Sequence, residues 1–234
     1  NPKPFDSGHK GIITPRTFIS LNQHKAKGIL LDIEPLYAGV TFGLLALNIF
    51  TTTGARINEL LQLSNTKECI RTVKVDNKVH FSFYAVPKGR DEVEPFYISE
   101  QTMKLIQSVV KLLKEHYGTE KIPSVKYRHK RSHLFSKDKP YFFQYYQKAL
   151  REQSISSCLR FLLHGLNFET PEGKLVVIKT HLLRHAFATE ASQRHGVSID
   201  ILAKILHQRD TDVTKYYSEA TPSQVAQTAS DLHD

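Results

Sequence analysis

Residues 181–217 read HLLRHAFATEASQRHGVSIDILAKILHQRDTDVTKYY. Positions i, i+3 and i+4 share one side of a helix, so His181, Arg184 and His185 are expected to project together. His207 follows, and then the adjacent pair Tyr216 and Tyr217. Imidazoles that titrate near neutrality, a permanent cation and a phenol make a set of groups suited to phosphate.

The composition around this stretch points the same way. The chain has 32 Lys and Arg against 23 Asp and Glu, a formal charge of +9. In a folded domain that balance favours a polyanionic partner, nucleic acid first. Its 234 residues can bury a substantial core, as one large domain or as a domain with an appendage. Cys69 and Cys158 form no C-x-x-C pair and fit a reducing compartment. The longest apolar run, Ala38 to Phe50, reads as a core helix too short and too interrupted to span a bilayer, and no membrane partner is expected. The start carries no charged segment followed by an apolar one, and it begins at Asn1, which suggests a trimmed longer parent.

In chain order, residues 1–29 are polar and punctuated by Pro and Gly, with a short helical hint around Arg16 to Lys25. They read as a linker or arm, and 30–234 as the main domain with a C-terminal tail. Leu30 to Thr53 has helical spacing and Gly54 breaks it; Ala55 to Leu63 is then amphipathic, with Arg56 at its start. Cys69 to Val75, Val79 to Val86 and Val93 to Ile98 are β-rich runs separated by turn residues. They predict a three-stranded antiparallel sheet with Lys88 at its second hairpin. Ser99 should cap a helix over Thr102 to His116. Further helices are expected over Tyr141 to Leu150, Ile155 to Leu166 and from Pro222 to about Ser230, with a short apolar run at Leu175 to Ile178. The fold class is therefore mainly α with a small antiparallel sheet.

Several motifs then line up. Thr53-Gly-Ala-Arg56-Ile-Asn-Glu59-Leu resembles the first arginine box of the tyrosine recombinase (integrase) family, and His181-x-x-Arg184-His185-x-Phe-Ala-Thr its second. Leu206-His207 and the tyrosine pair resemble the family's third histidine and nucleophile, and Pro87-Lys88-Gly89-Arg90 its β-hairpin lysine segment. Each match alone is modest, but their joint order across about Leu30 to Pro222 is specific. Two departures stand out: Leu206 replaces the usual Gly before the histidine, and the following QRDTDV is unusually charged.

The chemistry agrees with the resemblance. Arg56 and Arg184 suit charge stabilisation at a pentavalent phosphorus, because a guanidinium can grip two non-bridging oxygens. A tyrosine nucleophile needs a base or a positive field, and His181 and His207 can accept its proton or bind phosphate. The resemblance implies Lys88 as the general acid for the leaving 5′-oxygen, with His185 in support. Glu59 reads either as orienting an arginine or as a solvated helix residue. Only one of two neighbouring tyrosines can face the phosphate. Thr214 ahead of the pair and the Tyr-Ser-Glu-Ala-Thr-Pro continuation favour Tyr217, with Tyr216 as the alternative.

The basic segment Lys126 to His133 interleaves Tyr127 with Lys126, Arg128, Lys130 and Arg131. It reads as a solvated loop or, in a DNA enzyme, as a grip on backbone phosphates, with Arg90 a further contact of that kind. His129 and His133 lack companions for a metal site.

The resemblance implies site-specific DNA strand exchange through a 3′-phosphotyrosyl intermediate without metal, ATP or other cofactor. It also implies double-stranded DNA as partner, a homotetramer on two DNA sites, an N-terminal DNA-binding domain missing before residue 30, and a cytoplasmic setting in a bacterium or the host of a mobile element. Two other readings are a type IB topoisomerase-like enzyme and a non-catalytic DNA-binding protein on the same scaffold.

Overall fold

The computed structural model describes residues 34–75, 78–127, 138–170, 172–193 and 197–208. Tyr216, Tyr217, the basic positions 128–137, the N-terminal arm and the final helix expected from Pro222 lie outside the described residues.

Helix α1 (Glu34–Thr53) runs through the middle of the core. Its spacing buries Phe42, Leu45, Ile49 and Phe50 completely, and each such side chain contributes about 1.5–3 kcal/mol of burial. The helix is 20 residues long, and by length and composition alone it could cross a membrane. That corrects the expectation of a span too short and interrupted. Its apolar surface is instead spent on neighbouring elements. Short α2 (Ile57–Leu60) follows Gly54. The amphipathic signal over Ala55 to Leu63 therefore yields just over one helical turn, with Leu61 and Leu63 buried in the turn beyond it.

Strands β1 (Ile70–Val75), β2 (Lys78–Ala85) and β3 (Glu94–Ile98) form an antiparallel sheet in that order. Phe83 pairs with Ile70 on one side and Phe96 on the other. The rings of Phe83 and Phe96 stack at 4.7 Å on the core face. The opposite face carries exposed Tyr97, in register with Ser82 and Arg71. Helix α3 (Glu100–Tyr117) starts as predicted, with the Ser99 hydroxyl accepting the Thr102 N–H at 3.1 Å.

The helix expected over Tyr141 to Leu150 does not form. Strands β4 (Gln144–Tyr145) and β5 (Lys148–Ala149) make a tight hairpin there. Tyr146 and Gln147 at its tip have φ of 47° and 57°, the left-handed pair that a two-residue hairpin requires. Tyr141, Phe142, Phe143 and Tyr145 are all buried, a run of adjacent aromatics with no helical face to spare. Tyr127, read as part of a basic surface, also belongs to this core, edge-on to Tyr141 at 5.8 Å.

Helix α4 (Glu152–Leu162) packs on α1. The contact is close: a Cβ on Gly43 of α1 would sit 3.0 Å from the Cys158 carbonyl. In the apolar run before the last helices Leu175 and Val177 are exposed, while Ile178 packs against the main core. Helix α5 (Thr180–Gln193) packs against α1 and against α6 (Ile199–Ile205). A small second core of Ala188, Ala191, Leu202 and Leu206 joins these two helices.

Candidate active site

The site begins where α1 ends. Thr52 and Thr53 donate their hydroxyls back to the carbonyls of Asn48 and Ile49, both at 2.7 Å. Gly54 then takes φ +64° and turns the chain. No side chain fits there, because a Cβ would lie 2.6 Å from both Leu206 Cδ2 and Phe187 Cδ1. The turn delivers Arg56 in extended conformation at the N-cap of α2.

Arg56 has no acceptor to offer that helix, so Glu59 completes the cap. Its Oε2 accepts the Arg56 backbone N–H at 2.6 Å, and its Oε1 accepts Nη1–H of the same residue at 3.2 Å. Oε1 also accepts the backbone N–H of Lys88 at 3.2 Å. Glu59 is 1% exposed, which selects the orienting role over the solvated one. A buried carboxylate needs such partners, and here they join the first arginine to the lysine hairpin.

Gln62, one turn further, reinforces the junction. Its amide oxygen accepts the Val86 N–H at 2.6 Å and its amide nitrogen donates to the Val86 carbonyl at 3.0 Å. Sequence reasoning passed over Gln62; its signal was the i, i+3 relation to Glu59. Both side chains anchor the strand leading into Lys88, whose own side chain projects from an exposed turn. Lys126 is likewise exposed, at the edge of the undescribed basic segment.

Helix α5 supplies the second half. Arg184 is 1% exposed. Its Nη1 donates to the Gly54 carbonyl and its Nη2 to the Leu206 carbonyl at 2.8 Å. One guanidinium thus pins the turn before Arg56 to the end of α6. His181 and His185, one turn apart, place their rings 4.3 Å from each other, edge to face. Desolvation lowers the pKa of His181, and the charges of Arg184, Arg56 and Lys88 lower it further. Desolvation, His181 and Arg184 lower that of His185. Both rings are therefore held toward the neutral form, able to accept a proton. Arg56, Lys88 and Arg184, separated widely in sequence, all act on one imidazole.

His207 is placed differently. Its ring is turned to β3, with Nδ1 2.5 Å from Glu94 Oε2 and Nε2 3.1 Å from the Pro95 carbonyl. The carbonyl of its neighbour Leu206 accepts from Arg184 Nη2. Leu206 remains right-handed at the C-cap, and His207 itself takes the left-handed position at φ +50°. His207 N–H bonds to the Lys204 carbonyl at 3.1 Å and Gln208 N–H to the Ala203 carbonyl at 2.9 Å, closing a Schellman motif. Arg90 ion-pairs with the other oxygen of Glu94 at 3.5 Å.

This arrangement of helices and small sheet recurs in solved structures. The XerH site-specific recombinase, in a post-cleavage complex with palindromic difH substrate, matches 96% of the chain and 53% of its own at 15% identity and TM-score 0.57. XerA recombinase matches 88% of the chain and 65% of its own, at 18% identity and TM-score 0.52. The Tn1549 transposon integrase, in complex with transposon right-end DNA, matches 98% of the chain and 68% of its own at 16% identity and TM-score 0.53. The fold is that of a tyrosine recombinase catalytic domain. The phage integrase family model matches residues 38–224, and the chain belongs to that family. No curated protein matches the sequence. The chain spans about half the length of XerH.

Proposed function

We propose that the protein cleaves and rejoins DNA at specific sites by transesterification. The Oη of Tyr217 attacks a backbone phosphorus, the bond to O5′ breaks, and a 3′-phosphotyrosyl link forms. The 5′-oxygen leaves as a hydroxyl, taking its proton from Lys88. A 5′-hydroxyl from a partner strand then attacks the phosphotyrosine and releases the enzyme. Bond energy is conserved, and the roles need no metal or nucleotide.

Arg56 grips the two non-bridging oxygens, and Arg184 frames the site while contributing positive field. His181, held neutral, accepts the tyrosine proton or donates to the phosphate; His185 supports it. The observation that carries this reading is the direct linkage of the three cationic residues: Glu59 bonds both Arg56 and the Lys88 N–H, and Arg184 bonds the Gly54 carbonyl two residues before Arg56. Family membership and the DNA complexes of XerH and the Tn1549 integrase support DNA as the substrate. A synaptic tetramer and a separate DNA-binding domain N-terminal to residue 30 complete the proposal.

The test is incubation with a nicked suicide duplex that traps the covalent adduct. Adduct formed by the parent and by Tyr216→Phe but not by Tyr217→Phe is expected. The enzymatic reading fails if the parent forms none across pH and salt. Loss with Tyr216→Phe alone moves the nucleophile by one residue.

A further inference from the structure

The side chain of Glu94 stands between two nitrogen groups from different elements. Oε2 meets His207 Nδ1 and Oε1 meets Arg90 Nε on the hairpin. The next residue of β3 gives its carbonyl to His207 Nε2, and the one after, Phe96, packs its ring against the imidazole at 4.4 Å. Three consecutive residues of one strand therefore grip a single histidine whose side chain is only 8% exposed. Both ring nitrogens face oxygen atoms, a carboxylate at Nδ1 and a backbone carbonyl at Nε2.

The backbone also bears on the choice of residue. A left-handed non-glycine residue costs about 1–2 kcal/mol, and glycine would serve the Schellman turn without that cost. A histidine retained at such a position, with its ring clamped, has the pattern of strain kept for a working side chain.

We infer that Glu94 is a positioning residue for strand cleavage: it acts through His207, fixing the ring's direction and keeping hydrogen on Nδ1. The inference rests on the expectation, drawn from the sequence, that His207 takes part in the reaction. Among the described residues that line the pocket beside the ring, the charged ones are Glu94 and Arg90 from the sheet side and Lys204 from α6; α1 and α5 contribute uncharged Thr53 and Phe187. Glu94 is thus the single anion in this set. Arg90 and His207 share it, each on its own oxygen, and Arg90 belongs to the same hairpin as Lys88. The carboxylate therefore ties the third histidine to the hairpin that carries the general acid.

The experiment measures single-turnover adduct formation on the suicide duplex for the parent, Glu94→Ala, Glu94→Asp, His207→Ala and the double variant Glu94→Ala/His207→Ala. Glu94→Ala should slow cleavage roughly 10- to 100-fold, by analogy with the loss of a carboxylate that orients a metal-bound histidine, with unchanged DNA affinity. Glu94→Asp should restore part of the rate, and the double variant should be no slower than His207→Ala. Glu94→Gln keeps the size and one acceptor oxygen, and carries the comparison if the alanine variant does not fold. A Glu94→Ala rate equal to or above the parent's overturns the inference; so does a double variant that multiplies the two losses. A parent-like rate in His207→Ala is a separate failure, because it removes His207 from the reaction itself.

Discussion

The carbonyl oxygen of Gly54 accepts a hydrogen bond from Arg184, 130 positions further along the chain. The same glycine has left-handed φ and touches Leu206 and Phe187 so closely that a methyl group cannot enter. Gly54→Ala should therefore destabilise the fold by at least about 2 kcal/mol, combining backbone strain and overpacking. Urea unfolding at equilibrium measures it. A variant as stable as the parent would mean that the turn relaxes at little cost.

The two arginines should separate by fold dependence. Arg56 has a side chain 24% exposed and can be changed to Lys with the protein still folded. Cleavage should nevertheless fall by about 100-fold or more, since an ammonium cannot grip two oxygens at once. Arg184→Lys should lose stability as well, because one point charge cannot span the carbonyls of Gly54 and Leu206. Each carbonyl left unpaired costs about 1–3 kcal/mol. Paired thermal melts and adduct assays distinguish the two.

Glu59→Ala would strand the Arg56 guanidinium and two backbone N–H groups, those of Arg56 and Lys88. A loss of about 2–4 kcal/mol is expected. Amide hydrogen exchange should rise at Lys88 specifically, and protection there equal to the parent's would refute the anchoring role.

His181 should titrate below the ordinary 6.5 in the DNA-free protein, first through desolvation and then through Arg184, Arg56 and Lys88. Removing one of these charges, as in Arg56→Gln, should raise its midpoint in an NMR titration. The unfolded chain takes up this proton before the folded one does. The contribution to stability is therefore complete above about 6.5 and is lost as pH falls through the lower folded value. His185 acts in the same direction.

DNA binding by this chain should be salt-steep. With contacts from Arg90, Lys126 and the basic segment beyond it, the logarithm of affinity should fall linearly with that of salt, by about 0.9 per phosphate neutralised. A flat dependence would exclude the phosphate-gripping role.

Much of the site was legible because its members sit in local motifs. Helical spacing placed His181 beside His185, and alternation of apolar residues placed Lys88 at a hairpin. The misses have two physical causes. At Tyr141 to Leu150 the aromatic residues are buried in succession, which no period describes, and a turn lacking Gly or Asn hid the hairpin. Glu94 and Gln62 act through partners distant in sequence, so only the folded chain reveals them. The anomaly at Leu206-His207 was visible as a departure, but its meaning required the dihedral angles.

The Gly54–Arg184 bond also bears on how much the intervening chain is free to vary. Because the two halves of the site are fastened directly to one another, their alignment does not depend on the path between them. Residues could be inserted in the exposed turn after α3, at 118–121, without changing the distance from Arg56 to His181. Such a molecule can acquire new surfaces for different DNA ends or partners while its reacting groups keep their register.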